Sequence, residues 1–347
     1  MHMADALLSP SVGGAMWAVS AGTIAFCSAR VRSERDDRKI PLMGVLGAFI
    51  FAAQMINFTI PGTGSSGHLG GGLILTVLLG PCAAFLTISS VLVVQALFFA
   101  DGGLLALGCN IFNLGFFPAF LAYPLVYKKL LGHRPTSASI TFAALVTAIT
   151  GLQLGSFAVV LETAASGVSS LPFSAFIAVM QPIHLVIGIV EGLVTASVVI
   201  FVSKTRPEII HSGMASRTCG VLTARNLTLT FLILALITGG ILSRFASMLP
   251  DGLAWSISRV TGRQQPIKPE MGLQATLSGL QQKLAVLPDY SFTKPGRDSH
   301  ATEAKTNSGD NRLDTGLSGL VGGVATLGLS LLIGILLKKR SSIPKDL

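Results

Sequence analysis

Long apolar runs recur along the chain, and short polar segments separate them. A run of about 17–25 apolar residues can cross the hydrocarbon core of a membrane as an α-helix. Because lipid cannot satisfy open backbone groups, such segments must be helical. The pattern predicts nine spans, at residues 12–29, 41–60, 69–79, 81–100, 104–127, 139–161, 174–202, 227–245 and 317–337. The third is short and rich in glycine, and it meets the fourth near Gly80 and Pro81. We therefore expect an all-α polytopic membrane protein.

Basic residues are distributed unevenly between the predicted loops. Clusters of Lys and Arg follow the first, fifth, seventh and last spans, whereas segments 61–68 and 162–171 contain neither residue. Because short loops rich in Lys and Arg stay on the cytoplasmic side, this alternation predicts an amino terminus outside and a carboxyl terminus in the cytoplasm. We expect a multi-pass protein of the bacterial cytoplasmic membrane, surrounded by membrane lipid.

The composition agrees with this class and narrows the possible partners. Only 12% of the residues are charged, 50% are hydrophobic, and the mean hydropathy is +0.68. The net charge of +9 resides in the basic loops, so we interpret it as a topology signal and expect no nucleic-acid partner. The four cysteines have no CxxC spacing and are expected to be packing residues. The chain has no GxxxxGK[ST] motif, which excludes ATP binding by that route.

The first two residues, Met1 and His2, can form a metal chelate. The amino group, the amide nitrogen of His2 and the His2 imidazole can close fused five- and six-membered rings on one ion. Nitrogen donors in a square plane suit Ni²⁺ and Cu²⁺, whereas Co²⁺ is less committed to that geometry. The bulk of His2 favours retention of Met1. Since no basic segment precedes the first apolar run, we expect no cleaved signal peptide. A Met-His start by chance is the alternative interpretation.

His68 can complete this chelate. It follows a loop rich in glycine and serine and opens an apolar segment. The predicted topology brings the amino terminus, segment 61–68 and Asp101 to the same outer face. His68 can then supply a fourth nitrogen, and the alternative is an ordinary surface histidine. We predict Met1, His2 and His68 as metal ligands.

The pattern leaves the roles of several other polar residues open. Asp5, Asn57 and Ser66 could orient the ligating groups through hydrogen bonds, or they could simply cap a helix and bond within a loop. His184 and Glu191 lie seven residues apart on one face of the seventh span. Ionisable groups inside a membrane are usually functional, but a buried pair that ties helices together is the interpretation we favour here.

The chain divides into two units at a basic segment. Residues 1–205 form a seven-span unit, residues 206–225 a basic cytoplasmic linker, and residues 226–347 a two-span unit. The long segment 246–315 of the second unit is polar, contains Pro and Gly throughout and has no sustained helical periodicity. We expect it to be a partly flexible extracytoplasmic loop.

Four motifs in the first unit resemble a known family of metal transporters. They are MHMxD at residues 1–5, AAQMINF at 52–58, SGHLGG at 66–71 and HxxIGxxEG at 184–192. Together they resemble the nickel/cobalt substrate-binding (S) components of energy-coupling-factor transporters, the NikM/CbiM type. The resemblance implies a seven-helix bundle that binds the ion through the Met1 amine, the His2 amide and imidazole, and the His68 imidazole.

The second unit resembles the accessory subunit of the same systems. The run LPDGLAW at residues 249–255 is similar to the PDGLE motif of the NikN or CbiN type, with Ala254 where the motif has Glu. The whole chain resembles a fused nickel transport protein with a two-helix accessory unit. The resemblance implies a non-enzymatic capture component with no cofactor of its own. It also implies a transmembrane coupling (T) subunit and two cytoplasmic ATPase subunits as partners. We expect Ni²⁺ as the substrate, with Co²⁺ for cobalamin synthesis as the alternative.

Two other classes compete with this interpretation. GSSG at residues 64–67 fits the GxSG pattern of an intramembrane serine protease, with His184 as the base. A permease that acts without ATPases would need acidic residues in its spans, and Glu191 is the candidate. The GSSG run lies in the predicted outer loop just ahead of its helix, and the metal-transporter motifs account for more residues than the protease pattern does.

Overall fold

The chain forms a bundle of long helices in a computed structural model. The structure describes residues 2–34, 39–132, 135–169, 171–205, 221–262, 272–292 and 310–338. The α-helices are, in chain order, α1 (Pro10–Glu34), α2 (Lys39–Gln54), α3 (Gly72–Leu79), α4 (Pro81–Phe99), α5 (Leu107–Leu131), α6 (Ser137–Ser166), α7 (Phe173–Thr205), α8 (Val221–Gly240), α9 (Gly252–Thr261), α10 (Leu273–Leu284) and α11 (Asp310–Leu337). Short 3₁₀ turns cover Asp5–Leu7, Leu242–Phe245 and Pro288–Tyr290.

Seven of the described helices are long and apolar enough to cross a membrane. The chain is therefore a multi-pass membrane protein, as the apolar pattern predicts. The predicted second and third spans correspond to shorter helices, because α2 has 16 residues and α3 has 8. The middle of α5, Phe112–Tyr127, is wound as a π-helix and contains Pro118 and Pro124. Proline removes a backbone donor from the helical ladder, which accounts for the altered winding there.

A β-hairpin replaces the end of the predicted second span. Phe58–Ile60 pairs antiparallel with Ser65–Gly67, with Thr59 opposite Ser66. The prediction of a helix up to residue 60 was wrong, since the residue before Pro61 is biased towards extended backbone. The hairpin turn uses Gly62 and Gly64 at positive φ, 76° and 77°, where residues with a Cβ are strained.

The helices of the second unit pack against α2 and enclose it. Phe231 of α8 meets Phe49 of α2 edge to face, with ring centroids 5.4 Å apart. Gly322 of α11 lies directly against the ring of Phe51. The two helices of the second unit also approach each other closely at Gly239 and Gly319, because residues without a side chain permit close backbone contact. As a result, every residue of α2 from Met43 to Gln54 is buried.

The segment between α8 and α11 is more ordered than its composition suggests. The expectation of a loop without helices was wrong for α9 and α10, which occupy ten and twelve residues of it. Both are short amphipathic helices that cover the first unit: Leu253 and Ile257 are buried with the amino-terminal segment, and Leu277 packs at its edge. Residues 263–271 and 293–309 of the predicted loop lie outside the described residues.

Two further predictions remain as they were. Most of the predicted basic linker, residues 206–220, lies outside the described residues. The side of the membrane on which each terminus lies also stays a prediction. Three of the cysteines, Cys27, Cys82 and Cys109, are free thiols, which agrees with the packing role expected of them, and Cys219 lies outside the described residues.

Replacing Gly322 with alanine is expected to weaken the contact between α11 and α2. The new methyl group would overlap the ring of Phe51, and overpacking of a filled interface costs about 1–3 kcal/mol. Thermal unfolding of the detergent-solubilised protein should show a lower melting temperature. Gly328→Ala on the same helix is the control, because a methyl group there meets open space. A Gly322→Ala protein as stable as the Gly328→Ala protein would contradict this packing.

Candidate metal-capture site

Two histidine rings lie stacked at one end of the bundle. The rings of His2 and His68 are 5.1 Å apart between centroids and nearly parallel, with an interplanar angle of 13°. His68 directly follows the second strand of the hairpin, and His2 belongs to the extended segment that precedes the first 3₁₀ turn. The fold thus brings together two imidazoles that are 66 positions apart in the chain.

The amino-terminal segment is fixed by hydrogen bonds to the chain that follows α4. Met3 N donates to Asn110 Oδ1 at 2.8 Å, and Gly103 N donates to Met3 O at 2.9 Å. Asp5 Oδ1 accepts from Ala106 N at 3.0 Å. These contacts hold the backbone N–H and C=O of Met3 and the side chain of Asp5. The position of His2, which precedes them, is thereby defined.

The same segment is also buried among apolar side chains. Met3, Leu7 and Leu8 are fully or almost fully buried in one cluster. The cluster includes Phe176 and Met180 of α7, which continue into the turn that carries His184. Burial of a large apolar side chain contributes about 1.5–3 kcal/mol, so this end of the chain is anchored like a core element.

Glu191 positions His68 from the opposite side. Its carboxylate accepts from Gly70 N at 2.8 Å and from Gly71 N at 3.1 Å. The carbonyl of Gly70 accepts from Gln54 Nε2 at 2.8 Å. Residues 68–71 have no regular structure, so these bonds satisfy backbone groups that a helix would otherwise pair. The conformation that presents His68 therefore depends on Glu191 and Gln54.

Both imidazoles are neutral in this environment. Burial lowers the pKa of the His68 imidazole to about 3. Burial also lowers the pKa of the His2 imidazole, against the opposing effect of the Asp101 carboxylate. The neutral form is the one that a metal ion binds. Asp101 Oδ1 lies 3.5 Å from His2 Nδ1, and Asp101 Oδ2 accepts from the Tyr290 hydroxyl at 2.6 Å.

The second unit docks on the hairpin strand that leads to His68. Ser66 N donates to Pro250 O at 2.8 Å, and Ser66 Oγ donates to Leu249 O at 2.7 Å. Ser66 and Asp251 form an isolated parallel bridge, so the PDGL run pairs with the edge of the hairpin at this one position. The contact uses the backbone hydrogen bond from Ser66 N and the side-chain bond from Ser66 Oγ. Asp251 is thereby brought beside the histidines.

Asp251 has two roles at this position. Its Oδ1 caps α9 by accepting from Ala254 N at 2.8 Å. It also lines a cavity together with His68 and His184. Burial alone would raise the pKa of Asp251, but nearby positive charge and the hydrogen bond from Ala254 N hold it below its usual value. The site thus contains an ionised carboxylate from the second unit.

The structure places the other predicted site residues as follows. Met1 lies outside the described residues. Asp5 bonds to the backbone at Ala106 and so holds the amino-terminal segment. Asn57 accepts from Ser247 N through its backbone carbonyl at 2.7 Å, which makes it part of the junction with the second unit. Ser66 belongs to the same junction.

The side chains that the structure describes do not form a complete coordination sphere. Among them, no three His, Cys, Asp or Glu residues are grouped to hold one metal ion. Two stacked imidazoles therefore need donors of another kind. The amine and amide nitrogens of the predicted chelate are donors of that kind.

The geometry does not support the serine protease. Ser65 Oγ donates to Ser66 O at 3.1 Å, and the Ser66 hydroxyl is bonded to Leu249 O. His184 Nδ1 bonds to Met180 O at 2.8 Å. Both hydroxyls and the imidazole Nδ1 are therefore engaged with backbone carbonyls, and neither serine is hydrogen-bonded to His184 in the described chain. Nor do His184 and Glu191 form the buried pair that we favoured.

Sequence reasoning missed two residues of the site. Asn110 holds Met3 through both polar atoms of its side-chain amide: Oδ1 accepts from Met3 N, and Nδ2 donates to Met3 O at 3.3 Å. Only its place three residues inside an apolar helix could have signalled it. Asp251 was visible as part of the PDGL run, but its position beside His68 depends on the docking of the second unit.

Comparison with known proteins identifies both parts of the chain. Residues 2–209 match the family described as the cobalt uptake substrate-specific transmembrane region, CbiM. The chain belongs to this family. Residues 225–339 match the PDGLE domain. The resemblance seen in the sequence motifs is therefore confirmed for both the CbiM region and the PDGLE domain.

Individual relatives extend this finding. A provisionally named metal transport protein of Haloquadratum walsbyi is 37% identical over 61% of this chain and 94% of its own length. A protein of Archaeoglobus fulgidus, provisionally named fused nickel transport protein NikMN, is 30% identical over 95% of this chain and 96% of its own length. A crystal structure described as a transition metal transporter shares 30% identity and a TM-score of 0.53, covering 61% of this chain and 97% of that one. These relatives are transporters by name and not enzymes.

Replacing Glu191 with glutamine is expected to weaken metal binding. Glutamine offers one acceptor oxygen where Gly70 N and Gly71 N need two, so the segment that presents His68 should shift. Loss of such supporting contacts typically costs about 10- to 100-fold in metal affinity. Equilibrium binding of Ni²⁺ to the purified chain measures the change.

Glu162→Gln is the matched control. Glu162 is also buried, but it accepts from Asn113 Nδ2 at 2.8 Å and not from the segment at His68. We expect its Ni²⁺ affinity to stay close to that of the unaltered chain. Equal losses in the two variants would show that Glu191 acts on the bundle in general.

Proposed function

We propose that the chain is the substrate-capture component of an ATP-driven importer of the energy-coupling-factor type, with Ni²⁺ as its substrate. The observation that carries the proposal is the stack of two buried, neutral imidazoles beside the anchored amino-terminal segment. Membership of the CbiM family supports metal uptake as the process. The ion is bound by the Met1 amine, the amide and imidazole of His2, and the His68 imidazole.

Nickel is favoured over cobalt by the donor set. Four nitrogens that include a backbone amide form a plane, and Ni²⁺ binds such a site more tightly than Co²⁺. The name of the archaeal relative supports nickel, whereas the description of the family supports cobalt. Co²⁺ uptake by the same mechanism is therefore the second candidate.

The energy for transport comes from other subunits under this proposal. The printed sequence contains no GxxxxGK[ST] motif, so the chain does not supply a P-loop of that type. A transmembrane coupling subunit and two cytoplasmic ATPase subunits complete the importer. The chain captures the ion on the outer face, and movement driven by the partners releases it to the cytoplasm.

The PDGLE domain closes the capture site from outside. Its PDGL run forms a bridge with the hairpin next to His68. Gln281 Nε2 of α10 binds the first unit by donating to Ala96 O at 2.9 Å and to Gly102 O at 2.6 Å. Asp251 adds a negative charge beside neutral nitrogen ligands. A divalent cation gains from a nearby carboxylate in a dry site, so the domain stabilises the loaded state.

Removing either imidazole or displacing the amine should disrupt Ni²⁺ capture. His2→Ala should abolish tight binding, and His68→Ala should leave a weaker three-nitrogen site. Adding two residues before Met1 should be as damaging as His2→Ala, because the chelate rings can no longer close. Equilibrium dialysis of the purified chain with Ni²⁺, and with Co²⁺ as competitor, measures affinity, stoichiometry and preference.

A two-residue extension at the carboxyl terminus is the matched control, and it should leave binding unchanged. Tight Ni²⁺ binding by the amino-terminally extended chain would contradict the chelate. Preferential retention of Co²⁺ in the competition would replace nickel with cobalt as the substrate.

Replacing Asp251 with asparagine should lower Ni²⁺ affinity without unfolding α9. Asparagine caps a helix about as well as aspartate, so the substitution removes the charge and keeps the cap. We expect a loss of about tenfold, in the range found for groups that support a metal ligand. Asp314→Asn is the control, because that carboxylate accepts from Phe292 N at 3.2 Å, in the second unit. Equal affinity in the two variants would argue against a role for the charge.

A further inference from the structure

A short turn of the second unit, Pro288–Tyr290, docks on the end of α4. The ring of Tyr290 stacks on that of Phe99, with centroids 4.7 Å apart and an interplanar angle of 19°. The carbonyl of Tyr290 accepts from Ser318 Oγ of α11 at 3.0 Å. The turn therefore joins a helix of the second unit to the end of α4 that lies next to the capture site.

The backbone of this turn is strained. Asp289 and Tyr290 have φ angles of 52° and 59°, in the left-handed region that residues other than glycine seldom adopt. Strained residues of this kind persist where surrounding contacts enforce them, and they are frequent at functional sites. Here the strained residue makes a polar contact with the first unit, since the Tyr290 hydroxyl donates to Asp101 Oδ2 at 2.6 Å.

Asp101 connects this hydroxyl to His2. While one carboxylate oxygen accepts from Tyr290, the other, Oδ1, lies 3.5 Å from His2 Nδ1. The side chain of Asp101 is 28% exposed, whereas that of His2 is only 8% exposed. The carboxylate lies at the edge of the site, and without the hydroxyl it would be free to rotate towards water.

The nitrogen that faces Asp101 is the one that the chelate requires. The six-membered ring of the proposed chelate runs from the amide nitrogen of His2 through Cα, Cβ and Cγ to Nδ1. A carboxylate beside Nδ1 orients the imidazole of the empty chain and attracts a divalent cation to that nitrogen. Because this attraction falls with distance, its strength depends on where the carboxylate of Asp101 is held.

We propose that Tyr290 is a positioning residue for Ni²⁺ capture, which the second unit supplies and which acts on His2 through Asp101. This inference rests on the proposed function. It goes beyond the charge of Asp251, which lies beside His68, because Tyr290 supports the other imidazole. The second unit would then hold both imidazoles of the site from separate segments of its chain.

The test compares four variants of the full-length chain. Tyr290→Phe removes the hydroxyl and keeps a ring to stack on Phe99. Asp101→Asn removes the charge, and a third variant combines the two substitutions. Tyr127→Phe is the matched control, since Tyr127 is also buried and stacked on an aromatic ring, but its hydroxyl has no hydrogen-bond partner among the described residues.

Equilibrium dialysis with Ni²⁺ measures affinity. We expect Tyr290→Phe to bind Ni²⁺ about tenfold more weakly, in the range found for groups that orient a metal ligand. Asp101→Asn should lose at least as much. The combined variant should match Asp101→Asn, because the hydroxyl has no carboxylate left to position, and coupled residues give losses that do not add. Tyr127→Phe should bind as the unaltered chain does.

A spectrum of the metal-free protein separates positioning from general stability. In protein with ¹⁵N-labelled histidine, the His2 signals are assigned by their loss from His2→Ala. They should shift in Tyr290→Phe and in Asp101→Asn, and stay in place in Tyr127→Phe. A residue that only stabilised the fold would lower the melting temperature and leave these signals unchanged.

Unaltered affinity or unaltered His2 signals in Tyr290→Phe would overturn the inference. Losses that add in the combined variant would also overturn it, since Tyr290 would then only dock the second unit. If Tyr290→Phe does not fold, Tyr290→Met is judged by the same measurements. Failure of the unaltered chain to bind Ni²⁺ would instead refute the proposed function, and it is seen before any variant is compared.

Discussion

The site depends on the burial of the amino-terminal segment. The ends of a chain are usually poorly ordered, yet Met3 is fully buried and hydrogen-bonded through both of its backbone groups. Leu7 and Leu8 are buried in the same cluster, with residues of α6, α7 and α9. Without this anchoring, His2 would sample many positions. Placing it beside His68 would then cost conformational entropy each time that an ion binds. The segment is therefore part of the core and part of the site at once.

Burial also decides the chemistry of the two imidazoles. The carboxylate of Asp101 favours the protonated form of His2, but desolvation has the larger effect and lowers the pKa. His68 is affected more strongly. The cost of burying a charge in a dry environment exceeds the attraction of one nearby carboxylate. In the same environment of low dielectric constant, the neutral nitrogens can donate their lone pairs to a cation. Nearby carboxylates such as Asp251 also attract a cation more strongly there.

The contacts between the two units show how the second unit supports the first. The helices of the second unit enclose α2, which explains how a helix of only 16 residues can be apolar on every side. Its connecting segment lies beside the histidines and forms a single β-bridge with the hairpin at Ser66. The contacts run through backbone groups of Pro250 and Leu249, so the docking tolerates Ala254 in place of the usual glutamate. Ala254 contributes only its backbone N–H to the cap at Asp251.

The sequence by itself determined the membrane class, most of the spans and the pair His2 and His68. Apolar length is a local property, so a linear reading recovers it, and the chelate is proposed from local chemistry in the same way. It did not show that residues 58–60 form a strand, that Glu191 bonds to Gly70 and Gly71, or that Asn110 holds Met3. Nor did it place Asp251 and His184 on one cavity with His68. Those relations join residues 67 to 183 positions apart or override a local propensity, and only the packing of helices against one another decides which buried polar groups meet.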